Sequence, residues 1–380
     1  MMSKELEIYI HIPFCVQKCK YCDFLSGPAT SDTKNQYMEA LCREIEEKSP
    51  SYAQYQVSSV FIGGGTPSCV ETEWIEKVLR LLKTSYHLCE DAEVTMEMNP
   101  GTVDKRSLEI YHRSGINRLS MGLQSARSAE LAVLGRIHSY EQFLEAYFTA
   151  REIGFSNINV DIMSGLPMQT LENYLETLGK VTELVPPPEH ISAYSLIVEE
   201  GTPFYEAYER DELRLPDEET DRLMYDTTRT FLQSKGYDRY EISNYAKNGY
   251  ECRHNIGYWQ RKNYVGFGIG AASLVENVRF RNDNCLENYI RRPCESMTDV
   301  EELSVREQME EMMFLGLRMT EGVSFQDFQD AFGCSLESVY GEVIEKHVLE
   351  GLLQLDENHV HLTVKGMDVS NYVMADFLEP

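Results

Sequence analysis

Three cysteines, Cys15, Cys19 and Cys22, fall within eight residues, directly after the short apolar run 8–12. That run reads as a strand, so the cysteines lie on the loop leaving its end. Three thiolates this close can take three corners of an iron–sulfur cubane and leave the fourth iron without a protein ligand. Four-cysteine clusters mainly move electrons; an open iron can also bind and transform a small molecule. Lys18 and Lys20 flank the cysteines and would help keep the thiols ionised. The competing reading is structural zinc, with His11, four residues before Cys15, completing a Cys3His set. Pro13 works against it by stiffening the segment between them.

The wider string, Tyr9 followed by His11-Ile12-Pro13-Phe14-Cys15, then Cys19, Tyr21 and Cys22, resembles the radical S-adenosylmethionine (SAM) signature. It is similar to one subgroup in particular, the oxygen-independent coproporphyrinogen III oxidases and their relatives, the heme chaperones. The resemblance implies a 4Fe–4S cluster on the three cysteines, an exchangeable SAM, and Tyr9 and Tyr21 beside these cofactors.

Charge narrows the partners. Sixty-two acidic against 35 basic residues leave a net charge of −27, which repels nucleic acid and anionic membrane surfaces. Residues 1–7 carry acids and no apolar core, so no signal peptide is expected. No run of eighteen apolar residues suggests a membrane span. The remaining cysteines read as free thiols rather than a disulfide framework, in keeping with a reducing cytoplasm.

Strands are predicted at 7–12, 57–62, 93–97, 118–121, 157–162 and 190–195, and amphipathic helices at 34–48, 71–86, 104–114, 140–153 and 171–184. Six such units argue for a parallel sheet with outer helices; the resemblance makes this the radical SAM partial (β/α)6 barrel. In such α/β folds the working residues lie at the C-terminal strand ends. Gly63-Gly64-Gly65-Thr66-Pro67 follows the second strand and is equally a tight turn or a ligand cradle. The resemblance favours the cradle, with Gly64, Gly65 and Thr66 on the amino-acid part of SAM. It also implies Glu97, at the third strand end, as acceptor for the ribose hydroxyls. Gln124, ending the fourth, offers both donor and acceptor. Arg136, twelve residues on, is a natural bidentate partner for the SAM carboxylate. Asp161 falls in an apolar run at the fifth strand end, where an unpaired carboxylate is costly, so ligand contact is expected of it. Residues near Ile197 are expected to wall the adenine.

Pro186-Pro187-Pro188 reads as a rigid corner, and the glycines of 264–273 lack the lysine of a phosphate loop. From about residue 303 the pattern changes to helices at 305–319, 324–332 and 335–351 and a strand pair at 352–356 and 359–363. This suggests a winged-helix-like α+β module, too acidic for DNA, that packs or meets a partner. The expected division is a core barrel at 1–235, a barrel extension at 236–300 and the C-terminal module at 301–380.

Within the subgroup, two activities separate. The oxidases resemble C-x3-C-x2-C-x-C and carry a long extension before the first strand; here the fourth position is Phe24, and eight residues precede Tyr9. The chaperone branch carries His-Asn-x-x-Tyr-Trp, matched in full by His254-Asn255-Ile256-Gly257-Tyr258-Trp259. Imidazole is a good axial ligand for heme iron, and Tyr258 and Trp259 can stack on a porphyrin. The expectation is a heme chaperone that delivers heme to acceptor proteins, membrane respiratory enzymes among them. The alternative is oxidative decarboxylation of coproporphyrinogen III.

Overall fold

The computed structural model describes residues 4–378; residues 1–3 of the segment read for a targeting signal, and 379–380 of the C-terminal module, lie outside the described residues. Six parallel strands lie side by side in chain order: β1 (Lys4–Ile12), β2 (Tyr55–Gly64), β3 (His87–Met98), β4 (Arg118–Gln124), β5 (Ile158–Ser164) and β6 (His190–Ser195). All six predicted strands are present. β3 starts six residues earlier than predicted, since its polar first half pairs with Gln56 and Val57 of β2.

The crossover helices begin and end where the chain supplies caps. Asp104 with Ser107, and Ser139 with Gln142, form reciprocal caps on the helices Lys105–Ser114 and Tyr140–Ile153. Gly115 and Gly154 close the same helices at positive φ. Leu108, Tyr111, Phe143 and Tyr147 on these helices pack on Ile10, Ile62, Met96 and Leu119 of the strands, forming the core between sheet and helices. Every second strand residue is thereby spent on the outer face of the barrel, and the alternate residues turn inward.

Residues 236–300 extend the sheet at both edges. β7 (Asp238–Arg239) and β8 (Asn244–Ala246) add beyond β6. β9 (Tyr264–Phe267) runs parallel to β1, and β10 (Ala272–Val275), β11 (Val278–Asn282) and β12 (Met297–Glu302) continue from it antiparallel. Between the two groups lies the short helix Arg253–Trp259.

The C-terminal module has its own core, built from residues such as Met313, Phe328, Tyr340, Val360 and Phe377. The helices Val305–Gly316, Phe325–Phe332 and Leu336–Leu349 accompany β13 (Val323–Ser324), β14 (Leu353–Leu355) and β15 (His359–Leu362), an antiparallel sheet with β15 in the middle. The predicted strand pair is β14–β15; β13 is too short to show alternation. Helix Val305–Gly316 ties the module to the barrel through Glu311, which accepts from Arg261 Nε (2.8 Å) and from Arg279. No helix among the described residues is long and apolar enough to cross a membrane.

Candidate functional site

The cysteine loop is fixed at its root by backbone pairing with the end of β2. Gly65 N donates to Ile12 O (2.9 Å) and Thr66 N to Phe14 O (2.7 Å). Gly64 has φ +107°, and a Cβ there would lie 2.5 Å from the His11 ring; at Gly65 it would lie 2.6 Å from Phe14 O. The glycines therefore serve first to let two stretches of chain touch. Cys15 N closes the loop by donating to Gly27 O (3.0 Å).

Above this root a cavity of about 440 Å³ opens at the barrel mouth. Cys15, Cys19 and Cys22 line it, together with Tyr9, Tyr21, Gly64, Gly65, Thr66, Glu97, Gln124, Arg136, Asp161, His254 and Tyr258. Residues from segments more than 200 positions apart thus meet at one mouth. Trp259 does not line this cavity but a neighbouring one. Ile197, expected near an adenine, is exposed; Ser192 and Tyr194 supply the β6 wall instead. Asp161 lies inside β5, three residues before its end, and not at the strand end. It lines the cavity there beside Asn159, Ser120 and Arg118, none of which the motifs had singled out.

The fourth ligand that the zinc alternative needs is not offered to the three cysteines. Thr66 Oγ1 donates to Cys15 Sγ and Arg136 Nη1 to Cys19 Sγ, each at 3.6 Å. Burial pushes the Cys22 thiol up and outweighs the pull of Lys18, contrary to the expectation for the flanking lysines. His11 has both ring nitrogens engaged elsewhere, Nδ1 3.0 Å from Tyr9 Oη and Nε2 2.9 Å from Leu25 O, so it is no fourth ligand here.

Arg136 Nη2 donates to Asn99 Oδ1 (2.6 Å) and to Gly122 O, while its buried Nε has no partner. An unpaired buried guanidinium N–H is a vacancy for an acceptor. Gln124 stands at φ +68°, and its Oε1 accepts from Tyr194 Oη (3.0 Å). Glu97 Oε2 accepts from Gly64 N (3.1 Å); burial, and then Asp161, raise this carboxyl to about 7. Burial likewise raises Asp161, against the donation from Asn159 Nδ2 (2.7 Å).

His254 sits deeper, on the helix Arg253–Trp259, and is buried. Glu93, on the inward face of β3, fixes that helix by accepting from the backbone N–H groups of Arg253 (3.1 Å) and His254 (3.2 Å). His254 Nδ1 lies 2.8 Å from Ser59 Oγ and 3.8 Å from Glu7 Oε2, and Nε2 lies 3.1 Å from Tyr258 Oη. Its ring stacks on Phe61. Burial, reinforced by Arg118, pulls the imidazole down to about 3, so it is neutral at pH 7.

Residues 9–181 match the Radical SAM superfamily, and residues 303–369 match the HemN C-terminal domain. Over 379 residues, 100% of this chain and 98% of the relative, the chain is 36% identical to the heme chaperone HemW of Lactococcus lactis. It is 38% identical over 377 residues to HemW of Bacillus subtilis, covering 97% and 98%. The chain belongs to the HemW family. Among solved structures, the coproporphyrinogen III oxidase HemN of Escherichia coli is similar over 98% of this chain and 90% of that one, with a TM-score of 0.86 and 23% identity. That likeness establishes the radical SAM fold with its C-terminal module, not the activity.

Two outcomes follow from this geometry. Gly65→Ala should cost about 1–3 kcal/mol in urea unfolding, because backbone and not a flexible side chain stands in the way; Gly27→Ala, with nothing within 4 Å, should cost far less. Equal costs would show that the loop root is slack. His254, ordinarily at 6.5 and here about 3, lets the unfolded chain gain a proton that the folded chain refuses as pH falls below 6.5. The heme-free protein therefore loses on the order of 2 kcal/mol through this group between pH 7 and pH 5. The destabilisation caused by His254→Gln should shrink by that amount over the same interval; an unchanged penalty would show an ordinary, titrating ring.

Proposed function

We propose that this chain binds heme and passes it to acceptor proteins, on a scaffold that also carries a 4Fe–4S cluster and SAM. The observation that carries the reading is the His-Asn-x-x-Tyr-Trp helix, held by Glu93 with a neutral His254 toward the barrel interior. The full-length kinship with proteins named heme chaperones supports it. The division of labour follows the chain: core barrel 1–235, extension 236–300 with the motif, and C-terminal module 301–380.

Cys15, Cys19 and Cys22 hold the cluster on this reading, beside Tyr9 and Tyr21. When bound, a cluster with an open iron supplies one-electron chemistry and a docking point for SAM. Gly64, Gly65 and Thr66 border the amino-acid end of SAM. Arg136 meets its carboxylate through the unpaired Nε, and Glu97, Gln124 and Asp161 meet the nucleoside. His254 is the axial ligand of the heme cargo, trading the contact of Nε2 with Tyr258 for iron, and Tyr258 and Trp259 flank the macrocycle. The acceptors are heme proteins, respiratory enzymes of the membrane among them, reached from the cytoplasm.

The test is an anaerobic heme titration and a coproporphyrinogen III assay on one reconstituted sample. The protein should bind about one heme per chain, given one candidate axial histidine. His254→Ala should abolish or shift the Soret band without loss of iron–sulfur absorbance, and no protoporphyrinogen IX should form with SAM and reductant. Robust conversion together with heme binding indifferent to His254 would instead establish the oxidase activity.

A further inference from the structure

The His-Asn-x-x-Tyr-Trp helix does not serve one cavity. His254 lines the cysteine cavity, Trp259 lines a second cavity of about 660 Å³, and Tyr258 lines both. The two also share Tyr9, Phe24, Gly64 and Glu97, so they are neighbours across one wall. A single ligand that uses the whole motif must lie at that wall. On the reading above, the cysteine cavity is already committed to the cluster and SAM.

We propose that the second cavity, between barrel and C-terminal module, is the site of a planar macrocycle bearing carboxylates: the heme of the reading above, on which this placement rests. Its volume falls within the about 300–1,000 Å³ of sites that enclose cofactor-sized ligands. Tyr258, Trp259 and Tyr264 give it aromatic walls, with Tyr258 and Tyr264 edge-to-face at 4.6 Å. Leu274 of β10 and Phe314 and Leu315 of helix Val305–Gly316 add aliphatic and aromatic surface from two different elements. Flat rings bury well between such walls, whereas SAM, a charged sulfonium with polar groups along its length, does not.

The carboxylates have a partner as well. Arg279 is the one cation among the described lining residues, His11 being neutral through burial, and its side chain is 41% exposed. It donates to Glu311, but Arg261 holds that same carboxylate from the other side at 2.8 Å. Arg279 can therefore turn to a ligand carboxylate without stranding Glu311 as an unpaired buried charge. Glu311 sits on the C-terminal module, so the same exchange would register the ligand in the contact between module and barrel. Reaching His254 from this cavity requires Tyr258 to give up its contact with Nε2.

The experiment uses the full chain with its cluster reconstituted. Ala272, exposed at the start of β10, lines the second cavity and not the first. Ala272→Trp should fill it and raise the heme Kd about tenfold or more, with SAM binding and iron content unchanged. In the wild type, saturating SAM should leave the heme titration curve where it was. Wild-type heme affinity in Ala272→Trp, with uptake still dependent on His254, would overturn the placement and leave the chaperone reading standing. Competition between SAM and heme in the wild type would do the same, and decides the matter should Ala272→Trp fail to fold. Absence of heme binding in the wild type would overturn both.

Discussion

Inside this barrel the inward positions carry ionisable side chains. Arg118, Glu93, Glu7 and His254 are all buried, and Glu97 and Asp161 face the same interior. Burial opposes the Arg118 charge, and Glu93 and Asp161 restore it. Buried polar groups persist only when each has partners, and removing one leaves the others unsatisfied. The network is therefore a constraint on position: Asn159 Nδ2 bridges Ser120 Oγ (2.8 Å) and Asp161, His190 reaches Asn159 and Tyr240, and Glu93 reaches the helix of His254. A segment more than 150 residues away in the chain is thereby set against β3.

The same interior explains what could be read from the chain and what could not. The motifs that stand at strand ends, from Cys15 to Gln124, were legible because a sharp change from apolar run to glycines or polar residues marks the boundary. Arg118, Asn159 and Tyr194 lie within strands and belong to no motif. Their signal is alternation: Arg118 and Ser120 interleave with Leu119 and Met121, Asn159 and Asp161 with Ile158 and Val160, and Ser192 and Tyr194 with Ile191 and Ala193. A polar stripe of period two on parallel strands that are also covered outside marks a barrel with a solvated or ligand-filled interior. The destination of 236–300 was not legible, because strands as short as β7 and β8 carry no periodicity and their pairing with β6 is set by tertiary contact. The split of the His-Asn-x-x-Tyr-Trp helix between two cavities is likewise a matter of where the helix lies, which its sequence does not encode.

Function follows from how the mouth is shared. The cysteine loop is anchored by backbone pairing to β2, and the motif helix by a carboxylate on β3, so both sit on the rigid part of the fold. Tyr9, Phe24, Gly64, Glu97 and Tyr258 face both cavities. These residues form the wall that keeps the two sites apart. Of the two cavities, the helix Val305–Gly316 of the C-terminal module lines the second alone, which on the proposed reading sets that acidic module against the cargo.

All of this depends on what the three thiols at the mouth carry. The direct measurement is the metal content of anaerobically reconstituted protein, with EPR of its reduced form before and after SAM. The account predicts about four irons per chain, a reduced-cluster signal that changes shape on SAM addition, and loss of both in Cys15→Ala, Cys19→Ala or Cys22→Ala but not in Cys42→Ala. Stoichiometric zinc without iron, or a cluster signal indifferent to SAM, would contradict it.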